Sequence, residues 1–179
     1  MDIKIENARP EHMEEIQEVF YRAWLDTYPN EEAGITVDDV EDRFKDRKSE
    51  ERLNKRRNDI LNLDAHTKIL VALHGEKVVG ICRAMRDHKE NRLNAFYVLP
   101  EYQGKGVGTR LWNEVKGFFD QTKDIFVGVA TYNSKAINFY LKLGFVDSGR
   151  RYTEDRLRMK SGAILPEMDM VISARQMPN

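Results

Sequence analysis

The stretch Leu93–Gly108, LNAFYVLPEYQGKGVG, constrains the fold more than any other part of the chain. An apolar run stops at Pro100, a glycine-rich turn follows, and Val107 begins an amphipathic pattern. That order reads as a buried strand, a turn and a helix start. Gln103 to Gly108 holds three glycines in six residues. Without a Cβ, their backbone N–H groups can approach a ligand closely and adopt positive φ. The helix adds its own unpaired N–H groups and the positive end of its dipole. Together these favour a phosphate or pyrophosphate at the helix start, with Lys105 and Arg110 adding positive charge.

Two phosphate templates fail on spacing. A dinucleotide fingerprint needs G-x-G-x-x-G, whereas Gly104-x-Gly106-x-Gly108 is followed by Thr109-Arg110-Leu111. A P-loop needs Lys and then Ser or Thr after its last glycine, and Gly108 is followed by Thr109-Arg110.

Around this stretch the chain alternates strand and helix signals. Ile3 and Ile5 alternate with polar residues as in a short strand. Pro10 suits a first helical turn, and Met13, Ile16, Val19, Phe20, Ala23 and Trp24 share one helical face up to Pro29. Thr36 and Asp39 form a variant capping box, and one or two helices follow to about Leu63. Thr67–Leu73 and Lys77–Met85 are β-rich runs joined by His74-Gly75-Glu76, and Arg92–Leu99 is the next strand. Val107, Leu111, Trp112, Val115, Phe118 and Phe119 make a helical stripe. Asp124–Thr131 is a buried strand, Ser134–Leu143 a short helix, and Phe145–Tyr152 and Met168–Ala174 a final strand pair joined by a long Thr153–Pro166 loop. The order predicts an α+β fold with a mixed sheet.

Composition bears on partners and compartment. At 179 residues the chain fits one domain, 1–179, with a sizeable core. A net charge of −1 gives no support for nucleic-acid or membrane binding through bulk charge. The lone Cys82 allows no internal disulfide and sits in an apolar run, as a small core residue would. No secretory leader or run of membrane-spanning length is visible, so a cytoplasmic protein is expected.

The loop Gln103-x-x-Gly106-x-Gly108 resembles the [QR]-x-x-G-x-[GA] pyrophosphate loop of the GNAT N-acetyltransferase superfamily. A second block, Asn133, Ala136, Phe139, Tyr140, Gly144 and Phe145, keeps every spacing of that family's N-x-x-A-x-x-F-Y-x-x-x-G-F motif. The resemblance covers about Thr67 to Phe145 well and the N-terminal helices loosely. It implies an α+β, GNAT-like mixed central sheet of about seven strands, splayed between the fourth and fifth and flanked by about four helices. Residues 1–65 would form the amine side, 67–145 the acetyl-coenzyme A core and 146–179 the final strand pair.

The resemblance also implies an acetyl-CoA cosubstrate, no metal, and transfer of the acetyl group to an amine. Phe96, Tyr97 and Val98 would meet the pantetheine arm, one N–H polarising the thioester carbonyl. Gln103, Gly104, Lys105, Gly106, Val107, Gly108 and Thr109 would hold the pyrophosphate, and Asn133 and Ala136 would contact the cosubstrate. Tyr140 would be the general acid for the thiolate leaving group, since a phenol of pKa about 10 is protonated at neutral pH. Relatives often carry a glutamate base in the strand entering the loop, but here that strand reads Asn91-Arg92-Leu93-Asn94-Ala95. A water relay is the default, with Asp26 and Glu32 as unselected candidates.

The segment Trp24–Pro29, the acidic stretch after it and the Leu165–Ala174 end are similar to PaiA-type polyamine acetyltransferases. This implies spermidine or spermine as substrate, with Trp24, Tyr28 and Glu32 near it. Protein N-terminal or lysine acetylation is the alternative enzyme reading, and an acetyl-CoA-binding regulator without turnover the alternative of another class. The final strands either complete the sheet or pair with a second chain in a homodimer.

Overall fold

Seven β-rich segments pair into one sheet in the computed structural model, which describes residues 1–174. The strands are β1 (Lys4–Asn7), β2 (Thr67–His74), β3 (Lys77–Arg86), β4 (Asn91–Val98), β5 (Ile125–Ala130), β6 (Val146–Arg158) and β7 (Ile164–Ile172). Their spatial order is β1-β2-β3-β4-β5-β7-β6, and β4–β5 is the parallel pair. The helices are α1 (Met13–Thr27), α2 (Val37–Arg43), α3 (Glu50–Leu61), α4 (Val107–Val115) and α5 (Ser134–Lys142). The α+β fold with a seven-stranded mixed sheet is as expected, with five α-helices where about four were anticipated, because Phe44–Ser49 separates α2 from α3.

Side chains alternate across the sheet. A Cβ added at Gly80 on β3 would meet Leu111 of α4, so this face carries α4. Phe96 faces the same way and packs on Phe139 of α5 at 5.6 Å between ring centroids. The next residue, Tyr97, points to the other face and packs on Phe20 of α1 at 5.1 Å. Two apolar clusters result. The larger includes Leu111, Trp112, Tyr140 and Phe145, and the smaller packs Trp24, Tyr28, Val40 and Phe44 on Ala130 and Leu165. Cys82 is fully buried in the larger.

β4 and β5 separate along their length. They pair only from Asn91–Leu93 to Ile125–Val127, after which β4 stays with β3 while β5 follows β7. The buried Asn91 side chain fastens the closed end. Its Nδ2 donates to the carbonyls of Asp120 and Lys123 at 2.8 and 3.0 Å, and its Oδ1 accepts from the Asp120 amide at 3.0 Å.

The final strand pair differs from the sequence reading. Thr153–Pro166 is not a long loop: β6 runs to Arg158, β7 starts at Ile164, and Thr153 pairs with Pro166. β6 is the sheet edge, largely exposed, with two breaks in register. It therefore lacks the apolar alternation that marks a half-buried strand. Pro166 masks the other strand, yet its carbonyl still accepts from the Thr131 amide at 3.0 Å. The end of the expected 146–179 segment, residues 175–179, lies outside the described residues.

Asp39 joins α2 to the β6–β7 turn. Its carboxylate caps α2 through the Thr36 amide and hydroxyl at 3.0 and 2.9 Å, and accepts from the Ser161 amide and hydroxyl at 2.8 and 2.9 Å. Burial pushes its pKa up, but these four bonds outweigh it and hold the pKa at about 2, below the ordinary 3.8. A depressed folded-state pKa contributes stability above the unfolded value that is lost as pH falls through the folded one. Asp39→Asn is expected to cost about 1–3 kcal/mol in urea unfolding at pH 7. The gap to wild type should narrow between about pH 4 and pH 2; a gap constant with pH would refute the assignment.

Candidate active site

Where β4 and β5 part, the sheet opens into a cavity of about 680 Å³. Past Leu93 no ladder bond joins the two strands. The β5-facing backbone groups of Asn94–Val98 are thus left for a ligand, apart from the Val98 carbonyl, which accepts from Gln103 Nε2 at 3.2 Å. Buried backbone groups are rarely left unpaired in a folded protein.

The glycine turn forms one end. Gly106 has φ 83°, in the left-handed region, and ends the turn as the N-cap of α4. No side chain caps this helix, so its first N–H groups and its dipole face Gln103, Gly104, Gly106, Gly108 and Thr109 on the cavity wall. A Cβ at Gly108 would lie 3.1 Å from Phe139 and 3.4 Å from Phe96, so only hydrogen lets α4 pack this closely. Glu101, beside the turn, pairs with Arg22 of α1 through two bonds of 2.9 and 3.0 Å.

Helix α5 forms the opposite wall. Asn133 Oδ1 caps it by accepting from the Ala136 amide at 3.0 Å. Tyr140 is held by rings on three sides: Phe139 at 5.3 Å, Phe145 at 5.4 Å and Phe96 at 6.2 Å. Among the described residues none hydrogen-bonds its hydroxyl, which belongs to a cavity-lining side chain. Burial raises its pKa well above 10, with nearby Cys82 and Tyr97 adding to the shift, so the phenol keeps its proton throughout the neutral range.

On the α1 face, Tyr28 and Tyr97 place their hydroxyls 3.3 Å apart, and both pKa values are raised by burial first. Trp24 stacks edge-on to Tyr28 at 4.4 Å, and the Tyr28 carbonyl accepts from the Tyr132 hydroxyl at 2.8 Å.

Of the residues singled out in sequence, the cavity brings together Tyr28, Phe96, Tyr97, Val98, Gln103, Gly104, Gly106, Gly108, Thr109, Asn133, Ala136 and Tyr140. It does not bring in four others. Lys105 points outward, 5.8 Å from the Tyr102 ring. Val107 is core, Trp24 lies behind Tyr28, and Glu32 is exposed in the turn before α2. Arg110 is engaged with the Ile3 carbonyl at 2.9 Å rather than with the turn. The reading missed Lys135, Asn138 and Lys142, whose spacing of three and four puts them on one face of α5. It also missed Gly128, Val129 and Ala130 of β5, which have no polar side chain to draw notice. Among the described residues no cluster of three His, Cys, Asp or Glu is placed to hold a metal.

The sequence profile of the acetyltransferase (GNAT) domain matches residues 24–161. The chain belongs to the GNAT family. An uncharacterized N-acetyltransferase of Mycobacterium tuberculosis is 32% identical over 91 residues, 49% of this chain. The match spans only 58% of that relative's length. The Bacillus subtilis protein YrkN is 26% identical over 149 residues, 81% of this chain and 71% of its own. Among solved structures, a PaiA N-acetyltransferase from Thermoplasma acidophilum in complex with coenzyme A superposes with TM-score 0.69 at 24% identity, covering 97% of this chain and 99% of that one. The ribosomal-protein-S18-alanine N-acetyltransferase of Escherichia coli reaches TM-score 0.65 at 14% identity, covering 99% and 97%. These likenesses bear on the fold. No helix among the described residues is long and apolar enough to cross a membrane.

The left-handed geometry at Gly106 has a direct consequence. Gly106→Ala is expected to cost about 1–2 kcal/mol, because a Cβ is disfavoured at that φ. Urea unfolding at neutral pH measures it; an unchanged midpoint would mean that the turn is built differently.

Proposed function

We propose that this GNAT protein transfers the acetyl group of acetyl-CoA to a primary amine. The observation that carries the reading is the cavity at the strand split, with an uncapped helix N-terminus at one end and, on its wall, a tyrosine whose hydroxyl makes no hydrogen bond among the described residues. The amides of Gly104–Thr109 and the α4 dipole suit a pyrophosphate. The free edge of β4 suits the amides of a pantetheine arm, which are themselves donors and acceptors in need of partners. Asn133 keeps its side-chain NH₂ for the same arm, its oxygen being used by the cap. A β4 N–H directed at the thioester oxygen would stabilise charge as it develops.

Tyr140 donates its proton to the departing sulfur. Its raised pKa guarantees that it enters each cycle protonated. The closely packed rings around it hold the phenol ring in place.

For the amine we propose a polyamine. The rings of Tyr28 and Tyr97, with Pro100, offer apolar walls and π faces to a methylene chain bearing cations. None of the acidic side chains in the stretch after Tyr28 lines the cavity. Asp42 is shared between Lys45 at 3.2 Å and Lys160 at 3.7 Å, and Asp39 is committed to Thr36 and Ser161.

Two measurements test this. Thiol release from acetyl-CoA should occur with spermidine or spermine and not with N-terminal peptides; turnover with peptides alone would remove the polyamine reading. Tyr140→Phe should lower kcat by about 10²-fold or more and leave acetyl-CoA affinity unchanged; full kcat would remove the acid assignment.

A further inference from the structure

One carboxylate near the cavity has no partner. Glu167 of β7 stands opposite Ala130 of β5 and Tyr152 of β6. Its Oε2 is buried and makes no hydrogen bond among the described residues. A buried charge without a partner is costly, and such groups persist where function requires them.

The surroundings show why nothing neutralises it. Asp169, two residues on, receives Arg92 through bonds of 3.2 and 3.3 Å, Arg150 at 3.2 Å and the Tyr152 hydroxyl at 2.9 Å. Arg92 also reaches Glu90 at 3.0 Å, and Arg156 of β6 pairs with Glu154. The cations around Glu167 are therefore committed elsewhere. From the α1 end and β4, the phenols of Tyr28 and Tyr97 feel its charge, which adds to the burial that raises their pKa values.

Glu167 lies directly behind the cavity wall, its β5 partner Ala130 being one of the lining residues. Gly128 lines the cavity, and a Cβ there would sit 3.4 Å from Glu167 Oε1 and 2.7 Å from the Tyr152 hydroxyl. Glycine at 128 makes room for the Tyr152 hydroxyl and the Glu167 carboxylate against that wall. Asp26 is 3.7 Å from Lys135, a cavity-lining side chain.

Building on the acetyltransferase reading, we propose that Glu167 binds the ammonium group of the incoming amine and accepts its proton. Base and acid then work from opposite faces of the split sheet. Glu167 takes one proton from R–NH₃⁺, and the freed lone pair forms the C–N bond to the acetyl carbon as the C–S bond breaks. Tyr140 gives its proton to the sulfur and regains one from the nitrogen, now an amide. Glu167 releases its proton to solvent, so the products are the acetylamine, coenzyme A and one H⁺. The hydroxyls of Tyr28 and Tyr97, 3.3 Å apart, stand beside the ammonium site. Burial, with Glu154 and Asp169 nearby, raises the Glu167 pKa against the pull of Arg156 and Arg92. A raised pKa makes it a stronger base toward an amine.

The test uses the full chain, acetyl-CoA and spermidine. Glu167→Gln should keep acetyl-CoA affinity within twofold by calorimetry. Its melting temperature should be equal or higher, since an unpaired buried charge is removed. Its kcat/KM for spermidine should fall about 10²-fold or more. In wild type, kcat/KM should decline as pH falls through the Glu167 pKa, above the usual carboxylate range, and the variant should lack that limb. A kcat/KM within threefold of wild type, or an unchanged acid limb, overturns the assignment while leaving the transferase reading intact. Should Glu167→Gln not fold, Glu167→Asp is assayed: a slowed enzyme that keeps the limb supports the proposal, and full rate overturns it. If wild type releases no thiol with any primary amine, the transferase reading fails and this proposal fails with it.

Discussion

A β-sheet holds together because neighbouring backbones exchange hydrogen bonds, and here two adjacent central strands stop doing so after three residue pairs. The rest of the site depends on that interruption. Leaving both rows unpaired inside a fold would be expensive, so the opening must be held by other means and must accept something that can hydrogen-bond. Asn91 closes one end with three bonds to the segment preceding β5. At the other end β4 turns away through Pro100 and the glycine turn, pinned to α1 by Arg22 and Glu101. β5 is held along its own full length by β7.

The split also gives one ligand access to both faces of the sheet. Adjacent residues of a strand point in opposite directions, so Phe96 and Tyr97 belong to different environments. One faces the aromatic packing around Tyr140, and the other meets the Tyr28 phenol on the α1 face. The acid and base proposed above would thus sit on opposite faces of the sheet without neutralising each other.

Much of this was legible in the sequence because it is local. The strand–turn–helix of Leu93–Gly108, the N-cap at Asn133 and the apolar faces of α1 and α4 are set by residues within a few positions of one another. Twelve of the residues named from sequence do line one cavity. What escaped is non-local. Glu167 stands out only because β5 and β6 leave its Oε2 without a hydrogen bond, while its neighbour Asp169 looks alike in sequence yet is saturated with donors. Trp24 reads as either a pocket face or core, and only the packing against Tyr28 and Phe44 decides for core. β6 was half hidden because an edge strand with solvent on both sides of much of its length has no periodic apolar signal.

That edge strand has a cost of its own. Thirteen residues long and unpaired on its outer side, it is a template on which another chain could add. Its sequence works against such addition. Arg150, Arg151, Arg156 and Arg158 alternate with Asp147, Glu154 and Asp155, several of them locked in ion pairs along the strand. Interruptions in its register with β7 keep it from presenting one flat ladder. The charges that hide this strand from a reading of periodicity are thus the ones that oppose the addition of another chain along it.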